Sequence, residues 1–360
     1  MTPAEARCWI TKNSNILFFV GGFVFDALTL WRIDAVMDLL IQLGYLALIA
    51  YIVLRQAQEA RGVWQPSGML ARGWHYNVEA LHFVYGSLLS AYVVFYLKSS
   101  TWTRSSFFLL LVIVLMFANE MPQLRRAGSR MRLGLYALCV ASYMNYLLPV
   151  MIGRMGGWVF ASAMILSAWI VRALLKRLAG LEPNPERARK ALGWPPAVVL
   201  TLIMVFYALK WIPPVPLSMQ YAGIYHQVEK AGNRYELTSL KWPWYVFWRR
   251  DDRPFLARPG DQIYCFVRVF GPRRFRDQVY LHWRYSAFDS ERSHTSDRIP
   301  LSIYGGRGEG FRGYAAKANY QPGRWRVTVE TSDGRPLGEV SFEVRQDTGS
   351  EERTWKVRSM

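Results

Sequence analysis

Two histidines and a glutamate in HYNVEALH form the set in this chain that most resembles a metal site. His75, Glu79 and His82 recur at i, i+4 and i+7, a spacing that predicts one shared helical face. Two imidazoles and a carboxylate suit zinc or iron, and Glu120 in ANEMP is the candidate fourth ligand. The competing reading is that polar residues near the end of a membrane helix sit at headgroup level and bond to water. A second group, Asp26, Asp34 and Asp38, surrounds Arg32 and reads either as an intramembrane cation or proton site or as an interfacial ion-pair network with Arg32 or Arg154. A third arises from alternation: Tyr280, His282 and Arg284 point away from Trp283, while Arg298, Ser302 and Tyr304 point away from Ile299. If those strands pair, the result is an aromatic and basic face able to hold a glycan or an anionic group by stacking and guanidinium contacts. The alternative is the ordinary solvated side of a sheet.

These residues must be positioned by two different kinds of structure. Apolar residues concentrate before about residue 212 and charges after it. The first part holds seven apolar stretches near the length needed to cross a bilayer, about 20 residues. They run over 14–30, 35–54, 75–97, 105–119, 133–152, 157–175 and 195–209. Asp26 interrupts the first, which offers no convincing signal-peptide cleavage site and is expected to stay as a helix.

A net charge of +18 would suggest a nucleic-acid partner in a soluble protein, but its placement explains it otherwise. The amino terminus and the loops on its side carry fifteen Lys and Arg, and the opposite loops carry four, Arg32, Lys98, Arg104 and Arg154. Positive loops stay cytoplasmic, so the amino terminus is expected inside and the C-terminal part outside the membrane. No nucleic-acid partner is expected. Cys8, Cys139 and Cys265 fall in three different settings, which argues against a disulfide framework or a Cys metal site.

In WIPPVPLS the prolines are expected to end the seventh helix and lead out of the membrane as a stiff extended strut, with Pro195 and Pro196 in that helix's first turn. Alternation then replaces helical periodicity. Ile263, Cys265, Val267 and Val269 predict one strand face, as do Val279, Leu281, Trp283 and Tyr285, and Ile299, Leu301 and Ile303. Trp325, Val327 and Val329, a turn at Asp333-Gly334, and then Val340, Phe342 and Val344 predict a hairpin. Short strands divided by turn signals suggest an antiparallel, immunoglobulin-like β-sandwich, without the Cys-Trp-Cys spacing of a true immunoglobulin domain. KWPWYVFWRR either packs into that sandwich or rests on the outer leaflet. The expected plan is a seven-helix membrane domain over 1–212, a connector with first strands over 213–260, the sandwich over 261–346 and a frayed polar tail over 347–360.

Taken together, FVFDALTL, ANEMPQLRR, WIPPVPLS, LHWRY and the hairpin segment resemble bacterial polytopic membrane proteins whose C-terminal part is catalogued as domain of unknown function 2914. The resemblance implies the bacterial setting and the fold, and supplies no catalytic residues. No nucleophile elbow, P-loop or dinucleotide fingerprint occurs in the sequence. Two readings follow. The first is a non-enzymatic module, without a cofactor, whose partners are the lipid bilayer and a glycan, anionic lipid or protein of the envelope. The second is an intramembrane metal enzyme built on the His and Glu cluster.

Overall fold

The computed structural model describes residues 35–99, 110, 113–114, 128–246, 249–272, 275–290, 292–304, 310–349 and 352–360. The chain divides into two compact units, and the change falls between Pro216 and Leu217. In the first unit the described helices are α1 (Val36–Glu59), α2 (Met69–Trp74), α3 (Asn77–Lys98), α4 (Ser129–Ile152), α5 (Gly157–Ala179) and α6 (Pro185–Ala208). All but α2 are long and apolar enough to cross a membrane, with mean hydropathies between 1.5 and 2.0. They match the second, third, fifth, sixth and seventh predicted stretches; the first lies outside the described residues, as does the fourth apart from residues 110, 113 and 114.

Several hydroxyls buried among these helices find acceptors within the protein, which offsets the cost of burying them. Tyr143 donates to the Leu39 carbonyl at 2.9 Å, Tyr85 to that of Arg132 at 2.8 Å, and Tyr146 to the Gln42 side chain. At the other end of α1, the Trp74 indole donates to Glu59 at 2.6 Å.

Helix α6 begins ten residues earlier than the prolines at 195 and 196 predict, so those two prolines lie inside the helix and not in its first turn. The true start is written in NPER. Asn184 is the N-cap and accepts from the Arg187 amide at 3.1 Å, Pro185 takes the first turn, and Glu186 faces the positive end of the helix. The stop precedes the proline run as well. Lys210 turns left-handed at φ 59°, its amide reaches the Tyr207 carbonyl, and the Trp211 amide reaches that of Phe206. This is a Schellman ending, sealed by the Phe206 and Trp211 rings 5.5 Å apart. Residues 212–217 are buried, and Val215 N–H closes a turn onto Pro213, so the expected extended strut is absent. The prolines prevent resumption of a helix that backbone capping has already ended.

The second unit contains β1 (Ser218–Tyr225), β2 (Gln227–Ala231), β3 (Arg234–Leu240), β4 (Phe255–Ala257), β5 (Ile263–Phe270), β6 (Arg276–Ser286), β7 (His294–Tyr304), β8 (Phe311–Lys317), β9 (Gly323–Thr331), β10 (Pro336–Gln346) and β11 (Trp355–Ser359). They form a sheet β1-β5-β8, a sheet β4-β10-β9-β6-β7 and a small sheet β11-β3-β2. The β4–β10 pairing is parallel and the others are antiparallel. The first two sheets share one apolar core. Ile263, Cys265, Val267 and Val269 meet Val279, Leu281, Trp283, Val327 and Val329 there, all fully buried. Burial pushes the Cys265 thiol up to about 12, so at neutral pH it packs as a small apolar group.

The predicted hairpin is β9–β10. Trp325 lies opposite Phe342 and Val327 opposite Val340, and Gly334 adopts φ 75° in the turn. The region read as a connector with first strands supplies β1, a full partner of β5, whereas the tail expected to fray supplies β11, paired along its length with β3. The tail is held by charge: Arg353, 9% exposed, bonds Asp261 at 2.7 Å, Asp347 at 3.1 Å and the Leu256 carbonyl at 2.8 Å. A polar segment that is disordered alone becomes ordered when partly buried carboxylates await it.

Candidate functional site

Among the described residues, His75, Glu79 and His82 do not come together as a metal set. Helix α3 starts at Asn77, which leaves His75 in the preceding turn, its ring against Tyr76 at 3.6 Å, so it does not share a helical face with Glu79 and His82. The TrpHisTyr turn, fixed by Asn77 donating to the Trp74 carbonyl, overrides the spacing. Glu120 lies outside the described residues, and among the described residues no three His, Cys, Asp or Glu side chains gather where they could hold a metal ion. Asp26 and Asp34 also lie outside the described residues. Asp38 sits in the first turn of α1, where a carboxylate complements the helix dipole.

The outer face of the five-stranded sheet does form. Its register sets His282 opposite Arg298 and Tyr280 opposite Pro300 across β6–β7, and Tyr280 opposite Glu330 across β6–β9. These residues satisfy one another. Arg298 donates to Glu330 at 2.8 Å while its guanidinium lies 4.1 Å from the Tyr280 ring, and His282 pairs with Thr295 at 2.8 Å and faces Glu330 at 3.4 Å. Tyr304 ends β7 opposite Arg276. This half of the expected face is therefore closed by Glu330, a residue the strand pattern of β6 and β7 alone could not reveal.

Arg284 belongs to the other, open half. It lies directly opposite Arg326 of β9, Ser286 lies opposite Arg324, and across β10 the partners of Arg326 and Arg324 are Ser341 and Glu343. Like charges placed opposite each other on a sheet repel, so the two guanidinium groups disfavour a pairing that the buried apolar face of the same strands imposes. Arg326 reaches Glu339 only at 4.0 Å, and among the described residues no carboxylate lies within ion-pair distance of Arg284 or Arg324. Together they line a groove of about 580 Å³ whose walls include Ser286, Ser290 and Ser341. The alternation that marked the hairpin also set Arg324 and Arg326 opposite to Trp325. What the sequence lacked was the β6–β9 pairing that puts them beside Arg284.

The sequence reading also passed over a buried pair. His226 Nδ1 lies 2.7 Å from Asp252 Oδ2, its Nε2 lies 3.1 Å from the Leu256 carbonyl, and its ring stacks on Phe255 at 4.1 Å. Asp252 is fully buried and its Oδ1 accepts the Leu240 amide at 2.8 Å. A carbonyl can only accept, so Nε2 carries a proton; a second proton must then lie between Nδ1 and the carboxylate. Both ring nitrogens are thus engaged, and the pair ties β1, β3 and β4 together.

KWPWYVFWRR does not pack into the core where it is described: Trp244 is 88% exposed on a single 3-10 turn, and Trp242 is half-buried beneath Arg249 at 4.5 Å.

Among known proteins the structural likenesses are weak. A Pseudomonas fluorescens alkylpurine DNA glycosylase AlkC bound to DNA with an abasic site analog is 10% identical with a TM-score of 0.20, over 87% of this chain and 99% of that one. A β-glucosidase from Kluyveromyces marxianus is 12% identical with a TM-score of 0.18, over 42% of this chain and 18% of that one. No curated protein matches this chain. The likeness that coincides with the site is one of sequence. Residues 276–344, from the first residue of β6 into β10, match the family model described as "Protein of unknown function (DUF2914)", and the C-terminal β domain carries that segment.

Proposed function

We propose that this is a multi-pass bacterial inner-membrane protein, with seven spans and a cytoplasmic amino terminus, that presents its β domain in the periplasm to bind an acidic glycan of the envelope. The observation that carries this reading is the groove in which Arg284, Arg324 and Arg326 stand together, with no carboxylate among the described residues within ion-pair distance of Arg284 or Arg324. Guanidinium groups bond carboxylates in a bidentate fashion, and the serines beside them suit sugar hydroxyls. The topology draws support from the fifteen-to-four charge asymmetry and from the five described helices able to span a membrane.

Strand order favours an immunoglobulin-like connection. With β1, β5 and β8 as strands A, B and E, and β10, β9, β6 and β7 as G, F, C and C′, the buried Trp283 falls on strand C. Trp325 Nε1 bonds the Gln321 carbonyl at 2.9 Å near the start of strand F, in the place of a tyrosine corner.

Two measurements test the reading. A periplasmic reporter joined after Met360 is expected to be active and one inserted at Glu182, between α5 and α6, silent; the reverse overturns the orientation. The full-length protein in detergent is expected to bind trigalacturonate, more weakly as salt rises, because exposed charges are screened within about 10 Å at 0.1 M. Arg284→Ala with Arg326→Ala is expected to weaken that binding by about 1–3 kcal/mol for each charged hydrogen bond lost. Trigalacturonate that fails to bind, or binds the double variant as it binds the wild type, removes the glycan assignment.

A further inference from the structure

A second groove, of about 510 Å³, adjoins the first, and both are lined by Phe342 and Glu343. Its other walls include Trp242, Arg249, Arg253 and Arg345. Strand register shows how the two join. Ser286 of β6 lies opposite Arg324 of β9, Arg324 lies opposite Glu343 of β10, and the next outward residue of β10, Arg345, lies beside Leu256 of β4. The grooves thus follow one line that crosses four adjacent strands, about 14 Å at the usual strand spacing.

Positive charge predominates along this line, although Arg253 pairs with Asp251 at 2.8 Å and Arg326 reaches Glu339 at 4.0 Å. Six arginines line the two grooves against the single carboxylate of Glu343, and Arg345 occupies that carboxylate with contacts of 2.6 and 2.9 Å. At the far end, Arg249 covers the Trp242 ring at 4.5 Å, and the Trp242 indole N–H is buried without a hydrogen-bond partner. An unsatisfied buried donor is costly, and one beside a groove is satisfied when a ligand brings an acceptor. Neither groove alone holds all of these features.

We infer that the two grooves form one continuous site for an extended acidic polysaccharide, with the Arg284–Arg326 end and the Trp242–Arg249 end engaging different residues of the same chain. This rests on the glycan reading above and adds length to it: a short acidic sugar occupies the first groove, and only a longer one reaches the second. Linking two contacts on one chain raises affinity because the second contact forms at high effective concentration.

The test compares trigalacturonate with dodecagalacturonate on the full-length protein in detergent, before and after Trp242→Ala with Arg249→Ala. Arg249→Gln serves as a second variant, and the melting temperature of each establishes that it is folded. The expected result is at least a ten-fold loss of affinity for the twelve-residue chain in the double variant, a smaller loss in Arg249→Gln, and unchanged affinity for the trimer. The fully methyl-esterified twelve-residue chain, which is uncharged, is expected not to bind. Equal effects on trimer and dodecamer, or no effect on either, overturn the two-groove site while leaving the first groove's assignment standing. Tight binding of the esterified chain overturns its acidic basis. Failure of the trimer to bind the wild type counts against the first groove instead.

Discussion

Trp283→Ala is expected to destabilise the β domain by about 3–5 kcal/mol, the cost of emptying a large aromatic site in a packed core. Trp283 is fully buried on β6, with Trp325 and Phe342 edge-on to it, each at 6.4 Å. Measured on the full-length protein by near-ultraviolet circular dichroism, this corresponds to a fall in the domain's melting temperature on the order of 10 °C. Its neighbour Arg284 points to the opposite face, so Arg284→Ala should leave melting nearly unchanged while it impairs binding. Trp283→Phe is expected to cost less than Ala, because the Trp283 indole N–H is buried without a partner and Phe removes that donor while keeping a ring. A Trp283→Ala protein that melts with the wild type would mean that the face assignment is wrong.

Asp252→Ala is expected to have a comparable effect, about 3–5 kcal/mol, by a different cause. It strips a buried histidine and the Leu240 amide of their partner at once, and an uncompensated buried group costs more than the pair contributed. Asp252→Asn should be much milder. Asparagine can still accept from Leu240 and can donate to Nδ1 of a neutral His226 whose Nε2–H remains on Leu256.

Loss of the Asp252 carboxyl also changes the pH dependence of stability relative to the wild type. Burial is the largest influence on Asp252 and holds its carboxyl above the ordinary value, against the lowering effect of the His226 contact. A raised folded value means the folded state holds its proton more tightly. The stability this adds is complete below about pH 3.9, the ordinary unfolded value, and is lost as pH rises through the folded one. Asp297 and Asp347 act in the opposite sense. Asp297 is lowered chiefly by its hydrogen bond from Lys317, and Asp347 by the Gly349 amide and by Arg353 and Arg258, so their contribution is present above about pH 3.9 and lost as pH falls. Melting curves across pH should therefore lose, in Asp252→Asn, the part of the decline that begins above about pH 3.9 and keep the decline below it. An Asp252→Asn profile parallel to the wild type would show that the shared proton contributes nothing to stability.

What the sequence determined by itself was whatever consecutive residues decide among themselves. Runs of apolar residues gave five of the described helices their positions, because length and hydropathy are properties of a segment. Alternation gave the buried faces of β5, β6 and β9–β10, because a strand turns successive side chains to opposite sides wherever it lies. Even the start of α6 was written locally, in the Asn-Pro-Glu cap, and was masked only by a more conspicuous pair of prolines ten residues on. Tertiary structure alone decided which segments became neighbours. It placed Arg284 opposite Arg326, closed Arg298 onto Glu330, set His226 on Asp252, and drew a polar tail into a strand beside β3. None of these follows from local pattern, because cross-strand register is set by how distant apolar faces pack, and a shift of one residue would turn every one of these side chains to the other face.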